Sequence, residues 1–129
     1  MRTVSMSTLR TAAARLALWL VMPSILVLAT RRPAELPSIE VWDKLLHGGA
    51  FFTLAVLADA AYSATPRWRQ WLWLMSFGLL IESIQWLLPY RESALDDVLA
   101  NALGAGAYGL LAFVVGRLWR PGAAPGPTR

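Results

Sequence analysis

His47, Glu82, Gln85, Arg91, Asp97 and Asn101 lie inside or at the mouths of apolar runs long enough to cross a bilayer. An ionisable group at the centre of a membrane helix costs roughly 2.5 to 3.5 kcal/mol on insertion scales. A chain that keeps such groups pairs them or uses them. Their types suit three kinds of chemistry. His47 with Glu82 or Asp97 could exchange protons as a general acid–base pair. The planar fork of Arg91 suits phosphate. Asn101 and Gln85 can hydrogen-bond a polar headgroup. Spacing gathers them further. Asp43 and His47 are four apart, Glu82 and Gln85 three, Asp97 and Asn101 four, so each pair shares a helix face. Gly104 and Tyr108 continue the last stripe.

Other chemistries are thinly supplied. There is no cysteine, which excludes disulfides, thiolate metal sites and cysteine nucleophiles. Ser83 and Ser93 lack a nucleophile motif such as G-x-S-x-G. The single histidine excludes a multi-histidine metal centre within one chain. An ion held by His47, Glu82 and Asp97 is chemically conceivable, but the expectation is no metal and no cofactor.

The elements that must position these residues are apolar. Of 129 residues, 57% are hydrophobic and 16% charged, against roughly 25% charged in soluble domains. Four runs stand out, at about 12–30, 44–64, 68–88 and 95–116. Each is ~30 Å long as a helix, the thickness of the hydrocarbon core. They are too long and too uniformly apolar for barrel strands. The expected fold is all-α, a bundle of four transmembrane helices. Residues 1–11 form a tail before it, and 117–129, rich in Pro and Gly, a disordered tail after it. Pro23 should bend the first helix. Ser93 and Asp96 make a short capping box for the fourth, with Asp96 and Asp97 in its first turn. Asp59 stands apart, within reach of Arg67 or Arg69.

Charge sets the expected orientation. Arg2, Arg10, Arg67, Arg69, Arg117, Arg120 and Arg129 fall on one side, with Arg15 just inside; Arg31, Arg32, Lys44 and Arg91 fall on the other. The positive-inside rule then puts both termini in the cytoplasm and the polar set outside. The net charge of +4 flanks apolar runs and forms no polar basic face, so nucleic acid is not an expected partner. Tryptophan and tyrosine near the run ends (Trp42, Trp86 and Tyr90; Tyr62, Trp68, Trp71 and Trp119) read as interfacial belts. Small residues on the last helix (Ala100 with Gly104, Ala102 with Gly106, Ala105 with Gly109) read as bundle packing, with a homo-oligomer face as the alternative.

The ordered set Asp43-Lys44-x-x-His47, Glu82-x-x-Gln85, then Arg91, Asp97, Asn101 and Gly104 resembles the VanZ-like family of small integral membrane proteins. The resemblance covers roughly residues 40–115 and owes almost nothing to the first helix. It implies a multi-pass protein of the bacterial cytoplasmic membrane. The family is named for a protein linked to teicoplanin resistance, and no biochemical activity is generally established for it. The set Asp43, Lys44, His47, Glu82, Gln85, Arg91, Asp97 and Asn101 is then a polar cluster. It would bind a polar or lipid headgroup, with membrane lipids, a lipid-linked wall precursor or an envelope protein as partners. The alternatives are an intramembrane acid–base or metal-assisted enzyme and a structural network that locks three helices together. The lack of a nucleophile leans away from an enzyme.

Overall fold

The computed structural model describes residues 5–31, 40–90 and 95–119. They form α1 (Met6–Thr30), α2 (Glu40–Ala61), α3 (Arg67–Trp86) and α4 (Leu95–Leu118). There is no strand among the described residues. Three helices are long and apolar enough to cross a membrane: α1, α2 from Trp42 onwards, and α4. α3, with 20 residues, matches them in length but not in apolarity. Arg67 and Arg69 open it, and Gln70, Glu82 and Gln85 turn inwards along its buried side. Its outward side is apolar, with Leu72, Leu79 and Leu80 half or more exposed. Exposed leucines cover the other helices too, among them Leu20, Leu46 and Leu110. This is an all-α membrane protein whose polar groups face inwards.

The helix limits differ from the sequence reading at two places. α1 starts about a turn and a half earlier than expected, at Met6. Ser5 caps it, its hydroxyl accepting from the Ser7 N–H at 3.3 Å, so the polar segment extends the helix instead of preceding it. α2 lies a turn nearer the N-terminus than expected and ends at Ala61, where the chain turns to Pro66 and α3 begins. The proposed Ser93 cap of α4 lies outside the described residues.

α2 is the hub. It packs on α1, α3 and most extensively on α4, while α1 and α4 do not touch. Leu18, Phe51, Leu54, Leu74 and Ile81 fill the centre, each nearly fully buried. Phe51 stacks on Phe77 with ring centroids 6.3 Å apart. The α2–α4 contact is closer than side chains would permit. A Cβ built on Gly104 would sit 2.7 Å from the Gly48 carbonyl carbon and 2.8 Å from its Cα. The same atom built on Gly48 would meet only the Ala100 carbonyl oxygen, at 3.5 Å. Lipid gives helices no hydrophobic reason to associate, so such close approach supplies the packing that holds them. Gly106 and Gly109 meet nothing and play no part in this contact.

The asymmetry predicts two outcomes for one chemical change. Gly104→Ala must push α2 and α4 apart, at about 1–3 kcal/mol as for other overpacked sites. Gly48→Ala fits, and the gain in helix propensity keeps it within about 1 kcal/mol of the wild type. Thermal unfolding of the two variants in detergent checks both.

Candidate functional site

The Gly48–Gly104 contact places two side chains. His47 precedes Gly48, and Asn101 lies one turn before Gly104. The His47 Nδ1 is 3.1 Å from the Asn101 Oδ1. With the amide oxygen as acceptor, Nδ1–H donates, and Nε2 is the ring nitrogen outside this bond. Asn101 is 1% exposed and packs on Gly78, where an added Cβ would come within 3.2 Å of its Nδ2. Gly78 thus makes room for the amide between α3 and α4.

Asp43 stands one turn before His47. Asp97 enters from the first turn of α4, buried to 6% exposure. One oxygen of each carboxylate and one His47 ring nitrogen lie within 4.8 Å of one another. The neighbouring Asp96 turns the other way, and Lys44 donates to its Oδ2 at 3.1 Å on the exposed flank. Asp97 is therefore the first-turn acid that faces the bundle. Glu82 and Gln85 are both buried on α3, as their spacing required. Gln85 Nε2 donates to the Ala29 carbonyl at 2.9 Å. Tyr90 donates to the Thr30 carbonyl at 3.1 Å. These two bonds take up terminal carbonyls of α1 that the helix itself leaves unpaired. Arg91, expected beside Asp97 and Gln85, lies outside the described residues.

A cavity of about 250 Å³ opens on this corner. Asp43 and His47 form its polar part; Ile25 and Ala29 of α1, Phe51 of α2 and Ile81 of α3 are among its apolar walls. The sequence reading drew the site from the last three helices alone. The wall from α1 was not legible, because Ile25 and Ala29 are ordinary members of an apolar helix.

The opposite end of the bundle carries a second polar group. Asp59 Oδ2 accepts from the Tyr108 hydroxyl at 2.7 Å and from Arg67 Nη2 at 3.0 Å. Of the two arginines in reach, Arg67 is thus the partner; Arg69 instead lies over the Trp68 ring, 5.2 Å from its centroid. Gln70, which the sequence reading passed over, is buried and donates to the carbonyls of Tyr62 (3.1 Å) and Thr65 (2.9 Å). Arg15 Nε donates to the Ala61 carbonyl at 3.0 Å. Tyr108 sits on the helical stripe of Asp97, Asn101 and Gly104, but its hydroxyl serves this far end. A stripe reports a shared face and says nothing of depth.

The two kinds of polar contact at the first corner should separate on mutation. Asn101→Ala leaves the half-buried His47 Nδ1–H without its acceptor and opens a void at the buried Asn101 position, at about 1–3 kcal/mol. Lys44→Gln loses an exposed ion pair, worth under about 1 kcal/mol. Denaturation midpoints in detergent, measured side by side, test the contrast.

The VanZ/LLP1 family model matches residues 3–117. The match takes in α1, which the motif-based resemblance left out. Comparison with curated proteins and with solved structures returned no match.

Proposed function

The chain belongs to the VanZ/LLP1 family, and we propose that within it this protein binds the headgroup of a membrane amphiphile in the cavity between α1, α2 and α3. The observation that carries this reading is the composition of that cavity. A hydrogen-bonding corner, Asp43 and His47, adjoins walls made of Ile25, Leu28, Ala29 and Phe51. Such a lining suits a molecule with one polar end and one apolar end. At about 250 Å³ the space fits a headgroup and leaves the acyl chain to run along the lipid-facing leucines. The carboxylate of Asp43 with Asp97 behind it favours hydroxyl or amide groups over bare anions. The hydroxyl-rich part of a lipid-linked envelope precursor has that character.

In this reading the cavity faces outwards, both termini are cytoplasmic and the protein works at the cell envelope. The positive-inside distribution of arginine supports that orientation. Arg91 and Glu82 belong to the same polar set by sequence.

Native mass spectrometry of the detergent-purified chain tests the proposal. The wild type should retain a lipid enriched over the bulk membrane composition. Ala29→Phe fills the cavity from α1 yet keeps the Ala29 carbonyl that Gln85 holds, and it should lose that lipid about tenfold or more, the equivalent of about 1.4 kcal/mol. Equal retention by a folded Ala29→Phe would sink the proposal, as would a wild type carrying only bulk phospholipid.

A further inference from the structure

We infer that Asp43, His47 and Asp97 form a site for a divalent transition-metal ion, zinc before others, with an open coordination position towards the cavity. The first ground is convergence. Two helices bring two carboxylates and an imidazole to within 4.8 Å of one another. Zinc is held by histidine nitrogen and carboxylate oxygen at about 2.0–2.2 Å. In a tetrahedral site two such ligand atoms are about 3.4 Å apart, so the three close on an ion with shifts of under about 1 Å each.

The second ground is the state of Asp97. It is 6% exposed and directed at His47 and Asp43. Asp43 beside it is half-buried, and two carboxylates brought this close repel each other unless a cation lies between them.

The third ground is the histidine. Asn101, itself 1% exposed, accepts from Nδ1. Metal-ligating histidines have such a partner on the other ring nitrogen, which fixes tautomer and orientation. Nε2 is thus presented as a ligand atom. Three protein ligands with a fourth position free are the pattern of zinc sites that take water or substrate. Asp43 and His47 both line the cavity, so the fourth position would take water or an oxygen of a bound headgroup. The imidazole in the donor set favours zinc or cobalt over magnesium. The inference does not rest on the amphiphile reading, since an ion can be seated with the cavity otherwise filled by solvent.

The test uses the full chain carrying an affinity tag without histidine, stripped of metal and titrated with Co²⁺ in detergent. The wild type should bind one Co²⁺ per chain, with the visible absorption of a low-coordinate site, and Zn²⁺ should displace it. Asp43→Asn, at a half-buried position that tolerates the change, should abolish the bands, and His47→Gln should do the same. Asn101→Ala should keep one ion per chain and weaken it by about 10- to 100-fold, as expected for a residue acting through the ligand. Asp59→Asn, at the far end, should bind as the wild type does. A monodisperse wild type with no cobalt bands overturns the inference. So do bands that survive in Asp43→Asn and His47→Gln, or that vanish in Asp59→Asn. None of these readouts involves lipid, so failure here and failure of the headgroup reading are told apart.

Discussion

The contact of Gly48 with Gly104 is the constraint on which the rest depends. In lipid, helices gain nothing by hiding leucine from leucine, and association comes from close packing and hydrogen bonds. Here the packing is backbone against backbone. A pair of helices that approach at one glycine-lined point are fixed in register as well as in distance. His47 and Asn101 flank that point on their own helices, so their hydrogen bond is a consequence of the register. The position of Asp97, one turn beyond Asn101, follows from the same alignment. Moving α4 by a single turn would separate all three from α2.

The two polar ends of the bundle differ in kind. At one end Asp59, Arg67 and Tyr108 satisfy one another, with Gln70 occupied by loop carbonyls. Charges and donors there are matched, as in a network that serves to hold helices. At the other end Asp43, His47 and Asp97 bring one ligand atom each to within 4.8 Å of one another, beside a cavity. Membrane helices tolerate polar groups for structural reasons, so the presence of such groups says little.

Sequence alone carried a good part of this. The i, i+3 and i, i+4 spacings of Glu82 with Gln85 and of Asp97 with Asn101 put each pair on a buried face, and the structure has them there. The lengths of the apolar runs placed all four helices to within a turn or two. Other features were beyond reach for physical reasons. Asp96 and Asp97 are chemically identical neighbours; the family spacing favoured Asp97, and the rotation of α4 against α2 decides it. Gly104 continues the stripe of Asp97 and Asn101, yet nothing in the string says that the backbone of α2 comes against it. Tyr108 and Asp59 meet across two helices at a depth that spacing along one helix cannot report. The polar segment before Ala12 scored as a tail because α1 needs only Ser5 to begin, and a single capping residue is a weak signal.

The helix α1 is held by an unusual class of bond. Gln85 and Tyr90 grip its last carbonyls, and at the other end Arg15 reaches the Ala61 carbonyl. Two of these three bonds use the main chain of α1, which is the same whatever residue stands at Ala29 or Thr30. The seating of its C-terminal end is therefore independent of the side chains at those two positions, while buried Leu18 and Met22 and the Trp19–Tyr62 hydrogen bond fix the rest. Natural variation could rewrite most of the lipid-facing side of α1 while leaving it seated, subject only to the size of the few side chains that wall the cavity. Ligand preference could then drift through that wall without disturbing the hydrophilic corner beneath it, much as a lock changes its wards and keeps its bolt.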